Sequence, residues 1–258
     1  MPTEVSVIRF VTDVVGNIMV IRGLQKTTLL DYPGNVAATI FLGGCNMRCP
    51  FCHNMDIVAP DLCEVADVSS LEEYSFDEVM SFLVSRRKLL DGVCITGGEP
   101  TINPELPDFI CGIKELGLKV KLDTNGTNPD MVKELVEKGF VDYIAMDVKS
   151  SLREYGRVCG VEGIKVVPIK ETIDFLIGNK MNGFDYEFRT TVAEPFHTRE
   201  VMEEIGQLIS GAGKYFIQNF RDSEYVPNHS LGPVLPDKLE QYVDILKKYV
   251  QIVEIRGE

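Results

Sequence analysis

The chain is short of positive charge. It carries 26 Lys and Arg against 39 Asp and Glu, a formal charge of −13 at pH 7. No basic stripe forms, which argues against a nucleic-acid partner. No apolar run approaches the roughly 20 residues that cross a bilayer as a helix, so no membrane role is expected. The N-terminus lacks the pattern of a secretory signal. Internal repeats, low-complexity tracts and linkers are missing too. One domain is therefore expected over residues 21–258, with the weakly patterned residues 1–20 as an extension or an added strand. The cysteines number seven. An odd set without a signal points to a reducing cytoplasm rather than a disulfide framework.

What is present is an alternation. Apolar runs at 37–42, 92–96, 119–123, 143–147, 186–192 and 215–218 read as strands. Helical patterns follow at 76–90, 105–116, 129–138, 169–179, 198–210 and 237–249. Pro129 suits a first helical turn, and Thr198 suits an N-cap. Residues 252–255 add a final strand. Residues 23–35 read as a short element with a turn at Tyr32-Pro33-Gly34, and 55–75 as irregular. Six strand-then-helix units imply a parallel α/β sheet with right-handed crossovers, curled into an incomplete barrel.

Sites in such sheets form at the carboxyl ends of the strands. The first strand runs into a cysteine loop. Later ones end in Gly97-Gly98-Glu99-Pro100, Asp123-Thr124-Asn125-Gly126 and Asp147-Val148-Lys149. Arg189 lies in the fifth strand, and Gln218 ends the sixth. A plain apolar core has no need of charge at each strand end.

The cysteine loop is Gly43-Gly44-Cys45-Asn46-Met47-Arg48-Cys49-Pro50-Phe51-Cys52-His53-Asn54. Three thiolates at C-x-x-x-C-x-x-C suit an iron–sulfur cluster. A cubane has four irons, so one would stay open to a non-protein ligand. Three structural thiols, or a zinc site awaiting a fourth ligand, also fit. Zinc prefers four protein ligands, and His53 is awkwardly placed next to Cys52. Cys63, Cys94, Cys111 and Cys159 read as free, mainly buried thiols. His197 and His229 read as surface or loop residues.

With Gly97-Gly98-Glu99-Pro100 after the next strand, this loop resembles the signature of the radical S-adenosylmethionine (SAM) superfamily. That resemblance implies a partial (β/α)6 TIM-like barrel, one [4Fe-4S] cluster on Cys45, Cys49 and Cys52, and SAM chelating the open iron. Electron transfer from the reduced cluster then cleaves the sulfonium and gives a 5′-deoxyadenosyl radical. Phe51 and His53, flanking a ligand cysteine, read as adenine contacts. Arg189 and Gln218 read as contacts to the SAM carboxylate and to its ribose or adenine, or more plainly as a rim salt bridge and a strand-end amide. Ser150 is counted with the SAM contacts beside Lys149. The family pattern assigns SAM contacts to Gly97, Gly98, Glu99 and Lys149. It assigns a monovalent cation to Asp123, Thr124 and Asp147.

Residues Thr28-Leu29-Leu30-Asp31-Tyr32-Pro33-Gly34 and the His53-Asn54 tail narrow the likeness. They resemble the activases of glycyl-radical enzymes. The nearest are the activating proteins of anaerobic ribonucleoside-triphosphate reductase, with the pyruvate formate-lyase activase related. That branch implies a large glycyl-radical partner met by Asp31, and a flavodoxin or ferredoxin as electron donor. A turn aspartate is the plainer reading of Asp31. A small-molecule enzyme of the same fold, like 7-carboxy-7-deazaguanine synthase, is the alternative within the superfamily. A non-catalytic iron–sulfur or zinc module is the alternative outside it.

Overall fold

The computed structural model describes residues 19–63 and 72–257. Most of the expected N-terminal extension and part of the irregular 55–75 stretch lie outside those residues. Eight strands form one sheet in chain order: β1 (Ile21–Thr28), β2 (Ala37–Leu42), β3 (Gly92–Gly97), β4 (Lys119–Thr124), β5 (Tyr143–Asp147), β6 (Asp185–Val192), β7 (Lys214–Asn219) and β8 (Ile252–Arg256). Strands β2 to β8 run parallel. β1 pairs antiparallel to β2. No ladder joins β1 to β8 among the described residues, so the sheet curls without closing.

Among the described residues eight helices accompany the strands: α1 (Met55–Val58), α2 (Phe76–Arg86), α3 (Leu106–Glu115), α4 (Pro129–Glu137), α5 (Tyr155–Cys159), α6 (Val166–Gly178), α7 (Arg199–Leu208) and α8 (Pro236–Leu246). The six expected strand-then-helix units are all there. Pro129 opens α4, and the Thr198 hydroxyl caps α7 through the Val201 amide. Four elements depart from expectation. Residues 21–28 form a full antiparallel strand rather than a short element. Residues 55–58 and 155–159 are helical, yet each is too short to show a period. Helix α2 also stops at Arg86 rather than at residue 90, because the chain turns back there and Asp91 bonds to Val36 as it enters β3.

Along β3 to β7 successive side chains face opposite sides of the sheet, and that two-sidedness builds the site. Val93 and Ile95, Val120 and Leu122, Ile144 and Met146, Phe188 and Val192, and Tyr215 and Ile217 belong to one apolar core shared with the helices. Their neighbours in the sequence face the other way, because a strand has a side-chain period of 2. Those neighbours include Thr96, Asp123, Asp147, Arg189, Thr191 and Gln218, and all six line one cavity. Barrel interiors are usually filled by branched apolar side chains. This one holds charge instead. No helix among the described residues is long and apolar enough to cross a membrane.

Candidate active site

The cavity sits at the carboxyl ends of the strands and spans about 300 Å³. Cys45, Cys49 and Cys52 line it together with Phe51, His53, Gly97, Gly98, Glu99, Asp123, Thr124, Asp147, Lys149, Arg189 and Gln218. These stretches lie up to 173 positions apart in sequence (218 − 45), and the sheet register brings them onto one rim.

Close backbone approach holds the cysteine loop. The Glu99 amide donates to the Gly44 carbonyl (2.9 Å), and Asn54 Nδ2 donates to the Gly97 carbonyl (3.0 Å). A Cβ on Gly98 would overlap the Gly44 carbonyl oxygen, so only glycine fits that crossing. On the outer side, the Arg48 amide donates to the Cys159 carbonyl at the end of α5 (2.9 Å).

Burial pushes the Cys45 thiol up to about 11 and Cys49 up to about 12, and it raises Cys52 as well. The Lys149 ammonium opposes that rise at all three. The Met47 amide also donates to Cys45 Sγ (3.4 Å). The three sulfurs form a soft donor set, and the shared cation and the amide donor offset part of what burial costs their thiolates. No three His, Cys, Asp or Glu side chains among the described residues meet at a single-ion site; the thiols are set around a cavity. His53, the candidate fourth zinc ligand, has its Nε2 on the Arg221 carbonyl (2.6 Å) and stacks on Phe220. The residues present thus fit a multi-iron cluster better than one tetrahedral ion.

Residues 39–209 match the radical SAM superfamily model. The chain belongs to the radical SAM superfamily. Membership brings SAM and an iron–sulfur cluster as cofactors. A protein of Methanocaldococcus jannaschii with the provisional name glycyl-radical enzyme activating enzyme is 32% identical over 92% of this chain and 95% of its own. The pyruvate formate-lyase-activating enzyme of Clostridium pasteurianum is 26% identical over 82% of this chain and 83% of its own. The crystal structure of QueE from Escherichia coli superposes with a TM-score of 0.53 at 14% identity, covering 93% of this chain and 94% of that one. At that identity the likeness speaks for the fold.

Within this cavity, some residues sit differently from expectation. Asp123 and Asp147 face the cavity, but Arg189 bridges them, with Nη1 on Asp123 (3.2 Å) and Nε on Asp147 (2.9 Å). Lys121 takes the other oxygen of Asp123, and Lys149 that of Asp147 (3.1 Å). The Thr124 hydroxyl donates to Glu99 instead (2.7 Å). All four aspartate oxygens are thus met by side-chain cations. Burial alone would raise both carboxyls, yet the neighbouring cations outweigh it. Asp123 ends up lowered and Asp147 is held at about 2.

Glu99 is wholly buried and accepts from the Thr101 amide (3.0 Å) and hydroxyl (2.5 Å), the Thr124 hydroxyl (2.7 Å) and the Asn125 amide (2.6 Å). Its carboxyl ties the end of β3 to the end of β4, and those four donors use it fully. Ser150 lies just behind Lys149, fully buried, outside the cavity lining, with its hydroxyl unpartnered. Asp31 is not in the cavity either. Its loop joins β1 to β2 at the opposite end of the sheet, and its carboxylate accepts from Thr39 inside β2 (2.6 Å).

Sequence reasoning passed over several lining residues: Met47, Thr96, Asn125 and Thr191. Thr191 was within reach, two places beyond Arg189 on one strand face. His197, read as a surface or loop residue, is wholly buried. His229 is exposed, as expected. All seven cysteines are free; Cys94 and Cys159 are buried, while Cys63 and Cys111 are only partly so.

Proposed function

We propose that this chain is a glycyl-radical enzyme activase, formed as one domain over residues 21–258, with anaerobic ribonucleoside-triphosphate reductase as its partner. Cys45, Cys49 and Cys52 would hold a [4Fe-4S] cluster and leave one iron for SAM. Together the two cofactors supply one-electron reductive cleavage of the sulfonium and, from it, removal of a hydrogen atom from a partner glycine. Lys149 and Arg189 offer cations to the SAM carboxylate. Phe51 and His53 offer aromatic faces to the adenine, and Gln218 an amide to the ribose or base. Gly97 and Gly98 give open backbone, and Glu99 orders it from behind. A monovalent ion at Asp123 and Asp147 would compete with Arg189 for the same oxygens. Electrons would come from a flavodoxin or ferredoxin.

The observation that carries this reading is the convergence of the three loop thiols with the Lys149–Asp147–Arg189 array on one cavity. Reconstituted, dithionite-reduced protein is expected to release 5′-deoxyadenosine from SAM. A glycyl-radical doublet in electron paramagnetic resonance should appear only with the reductase present. A doublet seen with pyruvate formate-lyase alone would move the partner assignment. Cleavage without a radical on any glycyl enzyme would favour a small-molecule substrate. Cys49→Ala should lose the cluster iron and all cleavage; full activity in that variant would overturn the ligand assignment.

A further inference from the structure

The three histidines of the chain divide sharply. His53 and His229 are exposed, and His197 is wholly buried. Its ring stands beside the site rather than in it. Nδ1 accepts from the Ala193 amide (3.0 Å), and Nε2 lies 3.0 Å from the Lys149 carbonyl. Nδ1 also lies 3.3 Å from the Ala193 carbonyl, but the shorter contact from the Ala193 amide needs a lone pair there. Nε2 therefore carries the hydrogen toward the Lys149 carbonyl, and the imidazole is neutral. Burial, which pushes its pKa down, agrees with that assignment. The ring edge also meets Phe51, between two cluster cysteines, with centroids 6.5 Å apart.

The contact falls where other support stops. The Val148 amide donates to the Arg189 carbonyl (2.9 Å), and the Thr190 hydroxyl donates to the Val148 carbonyl (2.6 Å). One residue further on the sheet ladder has ended. There the Lys149 amide donates to the Tyr155 hydroxyl (3.2 Å), and the Lys149 carbonyl has His197. A lysine ammonium on four rotatable carbons is a poorly aimed donor unless its backbone is fixed. His197 fixes it, and the same ring braces the cysteine loop through Phe51.

We propose that His197 is a positioning residue for Lys149, locking the Asp147–Lys149 strand end to the cluster loop so that the ammonium meets SAM in a set place. This rests on the reading of Lys149 as a SAM contact. Two conservative variants separate positioning from plain structural support. His197→Gln keeps a donor at the Nε2 place and loses the acceptor for Ala193. His197→Asn keeps an acceptor at the Nδ1 place and cannot reach Lys149.

The proposal expects reconstituted His197→Asn protein to bind SAM about tenfold more weakly at unchanged iron content. His197→Gln should stay within about twofold of the parent. A ring that merely props up the 193–197 turn predicts the reverse order, and that order would overturn the proposal. Hydrogen exchange of the peptide covering residues 147–151 needs no cofactor. It should quicken in the Asn variant and not in the Gln variant, and equal exchange in both would also overturn the proposal. Failure of the activase reading looks different: SAM binding and exchange would keep this order while no glycyl radical formed on any partner.

Discussion

At the scale of single residues, the site depends on what is missing from Gly98 as much as on what the cysteines carry. Gly98→Ala puts a methyl group into the Gly44 carbonyl, and neither backbone can yield without moving Cys45. We expect a loss of about 3 kcal/mol in denaturant unfolding together with reduced iron content after reconstitution. A variant of parental stability and full iron would show that the loop is free to shift. The cysteine spacing and the Gly-Gly pair were legible because each is a local pattern with a chemical meaning. Arg189 was legible only as a charge at a strand end. Its bridge between Asp123 and Asp147 spans 66 and 42 positions, and only the register of β4, β5 and β6 brings the three together. His197 lies in a loop, as expected, but its burial was not legible for a related reason. A lone histidine in a loop has no local signal, and its partner lies 48 positions away.

At the scale of elements, the loop between β1 and β2 is separate from the cavity. Asp31 accepts from Thr39, while Leu29 and Leu30 stand 71% and 89% exposed. An asparagine can still accept from Thr39, so Asp31→Asn should change unfolding free energy by less than about 1 kcal/mol. If the loop meets the partner, the variant should impair glycyl-radical formation severalfold more than uncoupled SAM cleavage. Equal effects on both rates would leave Asp31 as a turn residue. β1 itself was hard to read, since Gln25, Lys26 and Thr27 are all exposed and break the alternation. The buried parallel strands were legible as apolar runs, because both faces of most of them are covered.

At the scale of the whole molecule, the polar face of the sheet carries a linked array from Lys121 through Asp123, Arg189 and Asp147 to Lys149. Folding depresses both carboxyls. A carboxyl whose folded pKa is lowered adds stability that is complete above its unfolded value near 4. That stability is lost as pH falls through the folded value, about 2 for Asp147. Thermal unfolding followed from pH 6 down to pH 2 should therefore show a steep fall in midpoint below about pH 4. Asp147→Asn should flatten it, and an unchanged slope in that variant would detach the acid sensitivity from the array.

Among the described residues the edges of β1 and β8 are unjoined, and that bears on what kind of molecule can reach the bottom of such a cavity. A sealed ring of eight strands has an interior only wide enough for its own side chains, and a chain could enter it only by its free end, as thread enters a needle. A sheet that stops short of closing has a side with no strand ladder, and here the cysteine loop reaches the segment after β7 through single hydrogen bonds at residues 221 and 228. A bend in the middle of a long polypeptide has to part only such loop contacts to enter, while both of its arms remain anchored in a folded body outside.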